Sequence, residues 1–259
     1  MDSPLSTAPQ YRRSRRDGRV KSTEVSPPRT HDPDRTRQDI LNVATEEFAS
    51  AGFSGARVDI IAERTRTSKR MIYYYFGSKE GLYLAALEKV YGELRAAEMS
   101  LDVTHESPVD ALRHLIELTF DYQEAHPEFV RLVNAENVNY GKYIEQSEAI
   151  RSLNVSIIDV VASILQRGQE QGLFRSGLDP VDVHMLISAF CFFRVSNQHT
   201  FGIVFHIDLS SPELRLRHRK MISDVILEWL TQKDSEEKLA TALGRPRGSG
   251  VAKTRALEK

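Results

Sequence analysis

Residues 57–82 read RVDIIAERTRTSKRMIYYYFGSKEGL. Val58, Ile61, Ala62 and Thr65 recur at the spacing of one face of a short helix. Arg66-Thr67-Ser68 follows as a turn, with Ser68 placed to cap a second helix. That helix, Lys69 to Phe76, turns Ile72 and Phe76 inward at i, i+4 and leaves Lys69, Arg70, Tyr73 and Tyr75 on its remaining face. Two short helices joined by a tight turn form the helix-turn-helix layout, whose second helix enters a major groove. Cations at a helix start reach phosphates or guanine edges there, and tyrosine hydroxyls reach phosphates. The pattern also has a plainer reading: any small helical hairpin with a solvated, tyrosine-bearing face shows it.

Moving outward, the spacing stays helical. Ile40, Ala44 and Phe48 recur every four residues, as do Leu82, Ala86, Val90 and Leu94. Ile150, Leu153, Ile157, Val161, Ile164 and Gly168 follow a 3–4 spacing. Ser107-Pro108, Asp179-Pro180 and Ser211-Pro212 each set a capping side chain before a proline, which marks a helix start. Pro127 breaks the chain after His126, and Gly172 suits a helix stop. Strand-like alternation is missing. The expected fold is all-α, with about nine helices and breaks near 52–56, 66–68, 77–78, 102–106, 126, 141–146, 173–178 and 202–210.

Charge divides the 259-residue chain. Residues 1–33 hold 7 Lys/Arg against 4 Asp/Glu, and residues 233–259 hold 7 against 4, so each end is +3. Residues 34–90 hold 9 against 8, while residues 91–232 hold 12 against 20, a net −8. DNA attracts basic surface and repels acidic surface, so a DNA partner would meet the N-terminal quarter and the tails. Both tails are rich in charge and poor in apolar periodicity and read as disordered. Arg12, Arg13, Arg15, Arg16, Arg19 and Lys21 could lie along phosphates or in a minor groove, or simply keep a tail solvated. Gly244-Arg245-Pro246-Arg247 resembles the core of an AT-hook, though Leu243 stands where a basic residue usually precedes it.

Several function classes fall away. HExxH, the P-loop, GxGxxG and GxSxG are all missing, and the eight histidines are scattered without metal-ligand spacing, so no catalytic residue, metal or cofactor is expected. The lone cysteine, Cys191, cannot form an internal disulfide. With no run of 18 apolar residues and no apolar stretch after the N-terminal charges, the expected location is cytoplasmic, associated with the nucleoid. An enzyme and a constitutive architectural DNA-binder remain the rival classes.

A resemblance bears on the choice. Thr36-Arg37-Gln38-Asp39-Ile40-Leu41, then Ala44, Phe48, Ala51-Gly52-Phe53, Ile61-Ala62, and Ile72-Tyr73-Tyr74-Tyr75-Phe76-Gly77-Ser78-Lys79-Glu80-Gly81-Leu82 resemble the N-terminal domain of the TetR/AcrR family of transcriptional regulators. The resemblance implies a repressor that binds an inverted-repeat operator as a homodimer and is released by a small organic effector. It implies DNA contacts from Arg57, Lys69, Arg70, Met71, Tyr73, Tyr75 and Lys79. Arg66 departs from the family, which usually has a turn glycine there, and implies either mild backbone strain or a slightly remodelled turn; Thr67 replaces an apolar residue. It implies a tail over 1–33, a helix-turn-helix domain over 34–80, a sensor and dimerisation domain over 81–232, and a tail over 233–259. More loosely, Glu128-Phe129-Val130-Arg131-Leu132-Val133-Asn134-Ala135-Glu136-Asn137 and Gln171-Gly172-Leu173-Phe174-Arg175 resemble the branch holding the nicotinate-degradation repressor.

A pocket needs apolar walls and a few polar groups. The candidates are Leu115, Thr119 and Tyr122 on helix 108–125, with His114 nearby, then Phe129, Val133, Asn134 and Asn137 on helix 128–140. Phe190, Phe193, Arg194 and Asn197 follow on helix 180–200. Of these, Phe129, Val133, Asn134, Asn137, Phe190 and Arg194 form the expected effector set, for an aromatic or carboxylate metabolite. Arg194 needs a partner for its charge: a ligand carboxylate, or an acid of the chain such as Glu136. Helices 180–200 and 212–231 are the expected dimer elements, with Ile222, Val225, Ile226 and Trp229 at the contact; a fully buried terminal helix in a monomer would look similar.

Overall fold

A computed structural model describes residues 32–232, so the C-terminal tail and all of the N-terminal tail before Asp32, with the arginine cluster and the AT-hook-like stretch, lie outside the described residues. Ten α-helices follow: α1 (Pro33–Gly55), α2 (Val58–Arg64), α3 (Lys69–Phe76), α4 (Lys79–Met99), α5 (Pro108–Ala125), α6 (Pro127–Val138), α7 (Glu148–Glu170), α8 (Pro180–Ser196), α9 (Gln198–Phe205) and α10 (Pro212–Thr231). A single 3-10 turn, Ile144–Gln146, precedes α7. The expected breaks appear, and one more: the helix expected over 180–200 stops at Ser196, and Asn197 separates α8 from α9. Nothing in the apolar spacing marks that break, because α9 is as apolar as the end of α8 and buries none of its residues.

The starts of these helices follow from their caps. Asp32, Ser107, Asp179 and Ser211 each accept a backbone N–H of the first turn, and each is followed by proline at the first helical position. Ser68 and Ser78 cap α3 and α4 in the same way. Arg57 gives α2 no side-chain cap. Instead, its backbone N–H donates to Oε1 of buried Glu47, 3.1 Å away on α1.

Two cores sit along the molecule. In the first, Ile40, Ala44 and Phe48 of α1 meet Ile61 of α2, Ile72 of α3, and Leu82, Ala86 and Val90 of α4. The second joins Leu112 and Ile116 of α5, Ile157, Val161 and Ile164 of α7, Val183 and Ile187 of α8, and Ile226 and Leu230 of α10. Helix α4 belongs to the first core over most of its length, and its last turns run beside α5 and α7. At 1.5 Å per residue, its 21 residues make a rod of about 30 Å. Close approach requires glycine at Gly81 and Gly168, among others. A Cβ on Gly81 would stand 2.2 Å from the Phe76 carbonyl oxygen, and one on Gly168 would stand 2.0 Å from the Phe174 ring.

The turn between α2 and α3 is held by two backbone bonds. Arg66 N–H donates to Glu63 O (3.1 Å) and Thr67 N–H to Ala62 O (3.0 Å), the paired closure of a Schellman helix end. Arg66 therefore occupies the left-handed position at φ 53°, where glycine is strain-free. Arg66→Gly should raise stability by about 1 kcal/mol, read as a higher denaturant midpoint with unchanged slope; a lower midpoint would refute strain at this turn.

Candidate DNA-reading surface and interior cavity

Helix α3 is eight residues long with one buried anchor, Ile72. Phe76 packs on the first core from the same side, beneath the Arg37 guanidinium 5.0 Å from its ring. The outward arc is Lys69, Arg70, Tyr73 and Tyr74, with Tyr74 the most exposed of the tyrosines there (77% against 41% for Tyr73). Tyr75 is half-buried, leaning on Tyr74 and Phe76 and packed against the core, and Met71 is half-buried as well. Lys69 is paired with Asp59 at 2.5 Å, whereas Arg70 has no acidic partner among the described residues. Arg57 is exposed at the start of α2. Lys79 sits at the start of α4, its Nζ 4.9 Å above the Phe53 ring, which steadies the cation beside α3. Tyr74 was not singled out from sequence, because the i, i+4 reading of Ile72 and Phe76 does not decide which flanking tyrosine is more exposed.

Among the polar residues farther along, Arg194 on α8 is 5% exposed and engaged inside the chain through its two terminal nitrogens, while its Nε has no partner among the described residues. It pairs with Glu124 of α5, donates to Leu209 O (2.7 Å) and meets His218 Nδ1 (2.7 Å), over the Phe120 ring. The expected internal acid is thus Glu124 rather than Glu136. Glu136 is instead buried beneath the loop before α7, accepting from Tyr143 N–H (3.0 Å) and Ile144 N–H (3.1 Å). Arg194 borders a cleft of about 310 Å³ with Glu124, Pro127 and Leu209.

A separate interior cavity of about 200 Å³ opens between α4, α5, α6, α7 and α8. Tyr91, Phe129, Val133 and Phe192 supply apolar wall; Arg95, Glu98, Thr119, Gln123, Asn154 and His184 supply polar groups. Of the six effector residues expected from sequence, the structure brings Phe129 and Val133 here. Asn134 is half-buried beside them without lining the space. Asn137 is exposed in the last turn of α6, its amide donating to Val133 O (2.9 Å). Phe190 faces the outside of α8, in ring contact with His218 at 5.9 Å. Sequence reasoning missed Arg95 and Glu98, which lie within the α4 periodicity and form a buried i, i+3 pair. The spacing of two opposite charges on an apolar helix face was the available signal.

The titratable groups of the cavity are shifted by enclosure. Burial pushes Glu98 up against the opposing pull of Arg95, and burial together with Arg95 pushes His184 down to about 4. Cys191, buried on α8, is pushed up to about 12 and is an inert thiol.

An open apolar groove runs along α8 and α10, lined by Leu186, Phe190, Phe193, Ile222, Val225 and Trp229 among others. Val225 is 58% exposed, while Ile222 and Ile226 are buried within the chain and border the groove from beneath. The Trp229 ring carries the Arg175 guanidinium at 4.2 Å. Phe193 continues the apolar surface into α9 through Phe201 (5.6 Å) and Phe205 (4.4 Å from Phe201).

An all-α chain with a helix-turn-helix and a helical bundle is the architecture of a DNA-binding transcriptional regulator. Residues 40–86 match the family described as bacterial regulatory proteins, tetR family, and residues 108–226 match the tetracyclin repressor-like C-terminal domain. The chain is 36% identical over 202 residues to the HTH-type transcriptional repressor NicS of Pseudomonas putida, covering 78% of this chain and 95% of that protein. It is 34% identical over 160 residues to the HTH-type transcriptional repressor SCO4008 of Streptomyces coelicolor, covering 61% and 77%. The crystal structure of the Streptomyces coelicolor regulator SCO4942 superposes with a TM-score of 0.58 at 28% identity, covering 76% and 99%. The chain belongs to the TetR family. Among the described residues, no acid, histidine and cysteine cluster could hold a metal, and no helix is long and apolar enough to cross a membrane.

His184 gives a pH signature with a definite sign. Its folded pKa lies below the ordinary value of 6.5, so between about 6.5 and about 4 the unfolded chain binds a proton that the folded chain does not. Stability from this group is complete above that window and is lost as pH falls through it. His184→Asn should flatten the acid side of a denaturation-midpoint profile taken between about pH 7 and about pH 5; an unchanged acid slope would refute the assignment.

Proposed function

We propose that the protein is a homodimeric repressor that reads an inverted-repeat operator with α3 and releases it when a small organic effector fills the interior cavity. The observation that carries this reading is the division of α3: Ile72 buried beneath, and Lys69, Arg70, Tyr73 and Tyr74 exposed above. Residues 34–80 then act as the DNA-binding domain and residues 81–232 as the sensor and dimerisation domain. Arg57, Lys69, Arg70, Met71, Tyr73, Tyr75 and Lys79 make the DNA contacts, and exposure adds Tyr74 to them. Half-buried Met71 and Tyr75 sit at the edges of that arc.

The groove along α8 and α10 supports the dimer. Exposed Val225, Leu186 and Phe193 form a contiguous apolar strip of the kind that marks a protein interface. A two-fold axis through it would set two α3 helices on one side of a duplex, at major grooves about 34 Å or a multiple apart. The cavity supports the effector: Arg95 and Glu98 lie on the same α4 rod that begins at Lys79. A ligand seated there can shift that rod only if it binds the released state more tightly. The Glu128–Asn137 stretch, which resembles the branch holding the nicotinate-degradation repressor, favours control of a catabolic pathway.

Duplexes enriched from genomic fragments, followed by fluorescence anisotropy across a salt series, test the DNA reading. Log affinity should fall linearly with log salt. Arg70→Ala and Tyr73→Ala should each cost about 1–3 kcal/mol of operator binding with folding intact; equal wild-type affinity for enriched and random DNA would refute a sequence-specific repressor. Light scattering tests the dimer. The wild type should show twice the 29.4 kDa chain mass, and exposed Val225→Asp should shift it to single chains because a buried unpaired charge is costly; a wild-type monomer at micromolar concentration would refute the interface. A thermal-shift screen coupled to operator release tests the sensor reading, which fails if no small molecule both stabilises the protein and frees the DNA.

A further inference from the structure

The polar wall of the interior cavity is specific about charge. Arg95 and Glu98 are both buried and paired to one another, so the positive charge already has its counter-ion. His184 is held neutral by burial and by Arg95. The remaining polar wall, Thr119, Gln123, Asn154 and Ser188, is uncharged. An anionic ligand would enter a low-dielectric space without a free cation, or would have to displace Glu98 and leave that carboxylate unpaired.

The hydrogen-bonding groups left open are equally informative. Gln123 is 3% exposed, borders the cavity, and its Oε1 has no partner; no hydrogen bond engages its Nε2 either. A buried amide oxygen left without a partner is costly to the empty protein, and the nitrogen beside it is free to donate. Arg95 Nε is a second enclosed donor without a partner. Asn154 uses its Nδ2 on Ile150 O (2.8 Å) and leaves its Oδ1 without one. An amide is the group that complements an amide, donating to the Gln123 oxygen and accepting from its nitrogen. A carboxylate only accepts and would set an oxygen against Gln123 Oε1. Tyr91, Phe129 and Phe192 around these groups suit a flat ring, and about 200 Å³ limits its size.

We infer that the cavity takes an uncharged carboxamide or lactam borne on a single small aromatic ring, with Gln123 as its specificity-determining residue. The inference rests on the reading of this cavity as the effector site; of the aromatic or carboxylate metabolite expected from sequence it keeps the aromatic ring and puts a neutral group in place of the carboxylate.

Matched pairs that differ in charge and keep the ring test it: benzamide against benzoate, and nicotinamide against nicotinate, by calorimetry and thermal shift on the full chain near neutral pH. In each pair the amide should bind at least about tenfold more tightly than the acid, for want of a counter-charge. Gln123→Leu should abolish amide binding and leave the ligand-free melting temperature unchanged or higher, because the lost amide had no partner. Should that variant not fold, the wild-type amide-to-acid ratio decides alone. Acids that bind as well as the amides would overturn the neutral ligand class while leaving the sensor reading intact. Amide binding that survives Gln123→Leu, or no amide binding at all, would also overturn the inference. Failure of the wider screen to free the operator would overturn the sensor reading as well.

Discussion

Phe48 of α1, Phe53 after the kink in α1, Tyr83 of α4 and Tyr143 of the loop before α7 form one aromatic seam, with ring centroids 4.7–5.2 Å apart along Phe48–Tyr83, Phe53–Tyr83, Phe53–Tyr143 and Tyr83–Tyr143. Each such contact contributes about 0.5–1.5 kcal/mol beyond the area it buries. The seam also has a polar floor. Glu136 holds the Tyr143 and Ile144 amides, and burial, reinforced by the Glu136 carboxylate, pushes the Tyr83 hydroxyl well above the usual tyrosine range. The consequence is mechanical. The helices that present α3 are tied through α1 to α4 and α6, so α3 cannot reorient without moving α4.

Along α4 the environment changes from apolar to charged. Leu82, Ala86 and Val90 pack into the first core, and Arg95 and Glu98 close on one another beside the cavity. A buried ion pair adds little net stability, because desolvation offsets most of the attraction. Its effect here is positional: it fixes the register of the last α4 turns against Thr119 of α5, whose hydroxyl bonds Glu98 Oε1 at 3.3 Å. The same logic holds around α10. Arg215 and Arg219 reach Asp121, Glu124 and Glu117 of α5, and Arg194 joins them from α8. These pairs set the angle of α8 and α10, and so the shape of the apolar groove between them.

Most of the fold was legible because its signals are local. Ser107-Pro108, Asp179-Pro180 and Ser211-Pro212 each mark an N-cap with proline behind it, and all three helices begin there. The i, i+4 apolar residues of α1 and α4 are the buried ones. The break at Asn197 was not legible, since an exposed apolar helix has the composition of a buried one and only tertiary context distinguishes them. The interior cavity was half legible. Phe129 and Val133 follow from an apolar helix face, but Arg95, Gln123 and His184 converge from α4, α5 and α8, and convergence across elements leaves no periodic trace. Arg194 was recognised as a charge needing a partner; which acid it meets depends on the crossing of α8 over α5, and that acid is Glu124.

Reading an inverted-repeat operator requires two α3 helices to meet one duplex across a two-fold axis. Hydroxyl-radical footprinting of the full chain on a duplex enriched from genomic DNA measures that directly. A two-fold dimer should leave two protected patches on one side of the duplex, related by a two-fold axis and separated by about 34 Å or a small multiple of it. A single protected patch, or protection out of phase with the helical repeat, would contradict it.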